Sequence, residues 1–417
     1  MAEKSSYRGR VHEFSKELMT NWYQDLSSAR KNGKKTAYLM ISGNCVEILL
    51  AFDIVPVFPE VNSLQMAIRK EALPMILKAE EGGYSVDNCA YVKADMGYTI
   101  SGGIGEGGSL PVPDLVVCNY VGCSVYIKWF EHSAHFLRSP LVVIDVPFYQ
   151  GIEPTREEVD YVVEQLKGLI KTCEELTGKS YDEDRLKEIL RFSSRAEEGW
   201  SRCKALCKNH PAPFDAYFDS INMMGPINVL RGTEGAAQFF EEAMKEFEER
   251  VEMGEGPLKE ERFRVIFEGP PPYPYYRNFR DLFSAWGAVG VASSYSCVGG
   301  LWEFGFRHDP ESPLESIARQ MLVENLTNRS LLDRYEKIWQ WIVDWKADCL
   351  VIHSVKSCRL FSAGQGDMRD FFINEKSLPT LLIESDLEDP RYYSQAQLKN
   401  RVDAFFEALE HQRAISK

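Results

Sequence analysis

Asp114-Leu115-Val116-Val117-Cys118, then the link Asn119-Tyr120-Val121-Gly122, then Cys123 and a helical pattern through Val125, Trp129 and Phe130: this stretch decides the fold. The run before the link is apolar on both faces and too short for a helix. That is the signature of a strand inside a parallel sheet covered on both sides. The same grammar recurs before it, where Thr36-Ala37-Tyr38-Leu39-Met40-Ile41 stops at Ser42-Gly43 and an amphipathic segment runs from Val46 to Phe52. It recurs after it, where Leu141 to Val146 ends in Pro147.

From about residue 155 the texture becomes helical. Thr155 with Glu158 fits a capping box, and Val159, Val162, Val163, Leu166, Leu169, Ile170 and Cys173 then form one apolar stripe. Ser180 and Glu183 repeat the capping signal, and helices continue to Glu252 before the break Gly254-Glu255-Gly256-Pro257. Strand signals return at 263–267, 288–292, 349–353 and 380–384, and a last helix begins near Gln395. The predicted class is α/β, with two parallel-sheet domains, 1–150 and 259–417, and a helical segment, 151–258, between them. No internal repeat of solenoid period and no low-complexity tract interrupts this order.

Composition narrows the function. A chain of 417 residues with 44% hydrophobic and 12% aromatic content builds packed domains. A net charge of −14 with no basic run excludes a nucleic-acid-binding face. The polar start of the chain reads as no signal peptide, and no apolar run approaches the roughly 18–20 residues of a transmembrane helix. The expected compartment is the cytoplasm.

Ten cysteines in a large chain of that compartment point to burial or metal ligation, not to disulfides. The absence of any CxxC pair excludes a zinc ribbon and a ferredoxin run. Cys203 and Cys207 share a helix face without a completing ligand, and read as packing. Cys118 and Cys349 fall inside strands, and Cys173 on a helix stripe. Cys89, Cys123 and Cys358 differ. Each stands where an element gives way to a turn, Cys123 and Cys358 just after strands and Cys89 where a helix begins. Such turns open on the carboxyl edge of a parallel sheet, where ligands gather. A helix N-terminus also favours the thiolate, the form that binds iron. On the residues alone, a three-cysteine iron–sulfur site and a scatter of buried cysteines both stand.

Several stretches then carry a resemblance. They are Cys89-Ala90-Tyr91-Val92-Lys93-Ala94-Asp95-Met96-Gly97, Gly122-Cys123 leading to Lys128-Trp129-Phe130-Glu131, and Lys356-Ser357-Cys358. Phe58-Pro59-Glu60, Glu268-Gly269-Pro270-Pro271, Asp389-Pro390-Arg391 and Asn400-Arg401 join them. Together they resemble the ATP-dependent benzoyl-CoA reductases and their 2-hydroxyacyl-CoA dehydratase relatives over nearly the whole chain. Val291 to Tyr295, Gly305 to Pro310 and Phe361 to Gln365 are similar to the larger of the two cluster-bearing subunits of the reductases.

The resemblance implies a [4Fe–4S] cluster on Cys89, Cys123 and Cys358 at the carboxyl ends of the strands, with one iron left open. It implies one-electron reductive dearomatisation of an aryl-CoA thioester, benzoyl-CoA or a methylbenzoyl-CoA, to a cyclohexadiene carbonyl-CoA. The implied partners are a sister cluster-bearing subunit, two ATP-hydrolysing iron–sulfur activator subunits, and a ferredoxin that feeds the complex. No ATP site is expected here, and no GxxxxGK[ST] stretch occurs. Two rival readings are a 2-hydroxyacyl-CoA dehydratase subunit and a non-catalytic electron relay.

The same comparison maps Ser42 and Glu60 near the substrate carbonyl and the open iron, with Glu60 as a proton shuttle. By themselves Ser42 reads equally as a helix cap and Glu60 as a solvated turn carboxylate. His353 and Lys356, beside Cys358, are candidates for proton donation or for neutralising cluster charge, against a structural histidine at a strand end. Asp389-Pro390-Arg391 reads also as a turn fixing the last helix. The glycine-rich stretch Ser101 to Gly108 does not match GxGxxG at a strand–helix turn and is expected to be a loop over the site.

Overall fold

A computed structural model of the chain describes residues 9–41, 44–103, 110–297 and 305–415. The first half runs α1 (Arg10–Ala29), β1 (Thr36–Leu39), α2 (Val46–Ala51), β2 (Val55–Val57), α3 (Pro59–Ile68), α4 (Ala72–Glu81), α5 (Ala90–Ile100), β3 (Leu115–Tyr120), α6 (Ser124–Leu137) and β4 (Leu141–Asp145). Four helices follow, α7 (Arg156–Thr177), α8 (Glu183–Leu206), α9 (Ile221–Asn228) and α10 (Glu234–Met253). The remainder runs β5 (Phe263–Glu268), α11 (Tyr276–Ser284), β6 (Ala288–Ser293), α12 (Pro313–Val323), α13 (Leu331–Asp344), β7 (Cys349–Val355), α14 (Gln365–Asn374), β8 (Thr380–Ser385) and α15 (Gln395–Ile415).

The fold is α/β with two all-parallel sheets, as the apolar runs predict. Their strand orders are β2-β1-β3-β4 and β6-β5-β7-β8, so the second sheet repeats the topology of the first. In each, the chain leaves the first strand for one neighbour and then crosses to the other side. That reversal makes a crevice between β1 and β3, and another between β5 and β7, at the carboxyl ends where open α/β sheets bind ligands. β1 pairs with β3 through Ala37 and Leu115, and β5 with β7 through Val265 and Cys349.

Local signals explain most boundaries. The capping box of α7 is formed, with the Thr155 hydroxyl accepting from the Glu158 amide at 3.2 Å and Glu158 accepting from the Thr155 amide at 2.8 Å. The stripe of α7 is buried, and truncating Leu166 to alanine there would cost ~2–5 kcal/mol. α8 starts later than Ser180 suggests. Asp182 is its cap, accepting from the Arg185 amide at 3.1 Å, because the Tyr181 amide is engaged by Glu174. β4 is less buried than its apolar sequence implies. It is an edge strand with one flank unpaired, and Val143 is exposed. α7 and α12 pack together over the first sheet, while α8 and α10 pack as a pair beside the second core. Among the described residues no helix is long and apolar enough to cross a membrane.

Candidate active site

Seven of the ten cysteines are buried, and only Cys89, Cys123 and Cys358 are partly exposed. Those three converge from different parts of the fold. Cys123 is the residue before α6, in the crevice between β1 and β3. Gly122 makes that turn possible: its φ is +83°, and a Cβ there would lie 2.0 Å from the Thr327 carbonyl oxygen. Cys358 stands in the turn after β7, and α14 starts seven residues on, so no helix N-terminus faces its sulfur. Cys89 departs from the strand-to-helix expectation. It lies between α4 and α5 and reaches the site as the residue before α5.

The three thiols lie within electrostatic reach of one another. Burial pushes the Cys89 thiol well above its usual range, and the charges of Cys358 and Cys123 add to the shift. Burial, then Cys358, raises Cys123 in the same way. Backbone amides oppose this, those of Val92 and Tyr91 at Cys89, Val125 and Tyr126 at Cys123, and Phe361 and Leu360 at Cys358. Three sulfurs, each receiving two N–H groups, form a donor set suited to a group that takes three thiolates.

Glu60 belongs to this place. It sits in the first turn of α3, buried, and its Oε2 accepts from the Ile41 amide at 2.7 Å. Its Oε1 accepts from the Tyr126 hydroxyl at 2.9 Å. Burial raises its pKa, while these two hydrogen bonds pull the other way. Glu60 therefore bridges the end of β1 to α6 beside Cys123. It is no solvated turn carboxylate. Ser42 lies outside the described residues, with Gly43. Its neighbours are firmly held. Asn44 donates to the Ile41 carbonyl at 3.0 Å, and the buried Arg231 donates to the Asn44 side chain at 2.7 Å and to Glu47 at 2.9 Å.

His353 is a fastening, and this corrects its candidacy as a proton donor. Its Nδ1 faces the Pro270 carbonyl, which can only accept, so Nδ1 carries the hydrogen. Its Nε2 then accepts from the Ser385 hydroxyl at 2.6 Å. Burial lowers the ring's pKa to about 4, so it is neutral at neutral pH, with both nitrogens occupied. Lys356 likewise turns away, to an exposed pair with Glu384 at 3.2 Å. Gly102 and Gly103 form a turn after α5, and residues 104–109 of the glycine-rich stretch lie outside the described residues.

Other motif residues hold the two sheets together. Asp389 and Arg391 bind α4 and α5: Arg391 meets Glu80 at 2.6 Å, and the buried Lys93 meets Glu80 at 2.9 Å and Asp389 at 3.9 Å. Glu268 pairs with the buried Arg334 behind Cys358. Trp129 donates to Asp95 at 2.7 Å, tying α6 to α5. Three tyrosines escaped sequence reasoning. Tyr273 donates to Tyr295 at 2.6 Å, and Tyr91 meets Tyr295 at 3.3 Å.

The chain matches the family described as 2-hydroxyglutaryl-CoA dehydratase, D-component, over residues 42–409. It belongs to that family. Among D-component relatives, a subunit of benzoyl-CoA reductase from Thauera aromatica is 38% identical over 408 residues, covering 96% of this chain and 94% of its own. The alpha subunit of (R)-phenyllactyl-CoA dehydratase from Clostridium sporogenes is 28% identical, covering 91% of each chain. The alpha subunit of (R)-2-hydroxyisocaproyl-CoA dehydratase from Clostridioides difficile is 27% identical, covering 100% of this chain and 99% of its own. The protein is thus an enzyme subunit of the acyl-CoA dehydratase and reductase type.

Proposed function

We propose that this chain is the iron–sulfur subunit of an ATP-dependent benzoyl-CoA or methylbenzoyl-CoA reductase, with Cys89, Cys123 and Cys358 holding a [4Fe–4S] cluster. The observation that carries it is the convergence of the three partly exposed thiols at the two crevices. No three His, Cys, Asp or Glu side chains among the described residues stand close enough for one metal ion. Thiolates that bind different irons of one cluster stand farther apart than ligands of a single ion, so the two facts agree. The greater identity to the reductase chain than to the dehydratase chains favours reduction.

When bound, the cluster would supply electrons singly at low potential and an iron with a free position. The residues do the rest. The N-termini of α5 and α6 and the six amides at the sulfurs favour negative charge at the site. Glu60, kept receptive to a proton by burial, holds it beside the thioester oxygen, and Ile41 and Tyr126 fix its direction. Benzoyl-CoA takes up two electrons and two protons to give the cyclohexadiene thioester. The first electron makes a ketyl radical anion, which a proton at the oxygen stabilises. The partners in this reading are a sister cluster-bearing subunit, two ATP-hydrolysing activator subunits and a ferredoxin.

The 27–28% identity to dehydratase chains over nearly full length supports one rival, in which the ketyl expels hydroxide and its electron is recycled. Anaerobic co-purification with partners, iron analysis, and assay with benzoyl-CoA, reductant and ATP decide between them. Stoichiometric use of reductant and ATP supports the reductase. Dehydration of a 2-hydroxyacyl-CoA with only catalytic reductant and ATP overturns it.

A further inference from the structure

Glu388 lies in the turn after β8, wholly buried, and both its carboxyl oxygens lack a hydrogen-bond partner among the described residues. A buried carboxyl left so is costly unless it is neutral. It faces the tyrosine cluster, since its charge acts on both the Tyr91 and the Tyr295 hydroxyls. Tyr295 is also within reach of Glu60, and Glu60 of Cys123. Tyr91, Tyr273 and Tyr295 come from α5, the 273–275 turn and the 295–297 turn, and their hydroxyls bond to one another.

We propose that Glu388 is a proton store, linked through the hydroxyls of Tyr273, Tyr295 and Tyr91 to the site that Glu60 and Cys123 line, and that it supplies the second proton of the reaction. The inference rests on the reductive reading above, which needs two protons per turnover where Glu60 carries one. Each hydroxyl passes its own proton onward and receives another, so only O–H bonds break and form and no electron moves. Glu388 is left as a carboxylate and regains its proton from water at the partly exposed Tyr91.

The electrostatics agree with the geometry. Burial, then Asp386, Asp95, Asp389 and Glu60, pushes the Glu388 carboxyl well above its usual range. The nearby cations do not offset this, because Lys93 and Arg391 are spent on Glu80 and Asp389. Glu388 acts through the tyrosines and touches no reacting atom, so it is a positioning residue and its test must separate proton supply from structure.

Glu388→Gln mimics the protonated acid in shape and neutrality, so a structural role survives it and a proton store does not. In the assembled complex we expect Glu388→Gln to lower kcat roughly tenfold or more, within the range for acid–base groups. KM and iron content stay unchanged, the pH–rate profile changes on its alkaline side, and Glu388→Asp restores part of the rate. Infrared spectra of the resting complex at neutral pH, compared in H₂O and D₂O, should show a protonated-carboxyl band that Glu388→Gln removes and Tyr295→Phe leaves in place. A wild-type rate and pH profile in Glu388→Gln, or no band lost, overturns the proposal. The infrared arm needs no substrate. A complex that dehydrates instead of reducing therefore defeats the functional reading without deciding whether Glu388 stores a proton.

Discussion

The amide of Ala90 donates to the hydroxyl of Ser357 at 3.1 Å, although 267 residues separate them. Ala90 opens α5, where the first amides have no partner within the helix, and its N-cap residue Cys89 makes no side-chain cap. The cap comes from the other sheet, next to Cys358. Ser357 is fixed in turn by Asp386, which accepts from its amide at 2.9 Å.

Ser357→Ala should therefore cost about 1 kcal/mol, the usual loss of a helix cap, and loosen Cys89 relative to Cys358. Urea unfolding should show the loss, and iron should leave the variant faster under a chelator. Unchanged iron retention would mean that this bond does not hold the two thiols together.

Cysteine replacement separates the candidates from the core. Serine at Cys89, Cys123 or Cys358 should lower iron per chain in anaerobically prepared protein, from about four atoms for an intact [4Fe–4S] group. Serine at Cys173, Cys203 or Cys207, all buried, should not. Full iron in Cys358→Ser would defeat the ligand assignment.

Glu60→Gln keeps one acceptor for the Ile41 amide and loses the titratable proton. Turnover should fall by roughly 10²–10⁴-fold with iron content and complex assembly intact. Near wild-type turnover across pH would remove Glu60 from the proton chemistry, and loss of iron would place it in the support of the thiols.

Asp95 makes a pH prediction. Burial raises its pKa to about 7, with the Trp129 hydrogen bond pulling it down. The folded state thus holds a proton that the unfolded state has lost, at any pH between the ordinary carboxyl value of about 4 and 7. Stability should fall as pH rises through that window and change no further from this group above it. Asp95→Asn keeps an acceptor for Trp129 and removes the titration. Denaturation midpoints measured between about pH 5 and 8 should be flatter for Asp95→Asn than for wild type, and parallel curves would show that Asp95 is ionised throughout.

Much of this was legible in the chain. The apolar runs at 36–41, 114–118, 263–267, 288–292, 349–353 and 380–384 are strands because both faces are covered, which leaves no polar alternation to blur them. β2 was not legible, since three residues are too few for a pattern. The three cysteines stood out by position. That only these three keep some exposure is a property of packing. Tyr126 on Glu60, and Tyr273 on Tyr295, join segments that no local spacing connects. His353 misled because a histidine near a candidate ligand looks chemical until both its nitrogens are accounted for.

The split of the thiols between two like-wound sheets bears on how the protein is made. Cys123 has been synthesised more than two hundred residues before Cys358. At ~5–20 residues per second that is an interval of roughly 10–50 s. Through that interval the nascent chain offers two thiols and no third. It cannot close the triangle until β7 has paired and Ser357 has found α5. Loading is thereby postponed to the last stage of biosynthesis, and an abortively terminated polypeptide is never left holding a reactive centre.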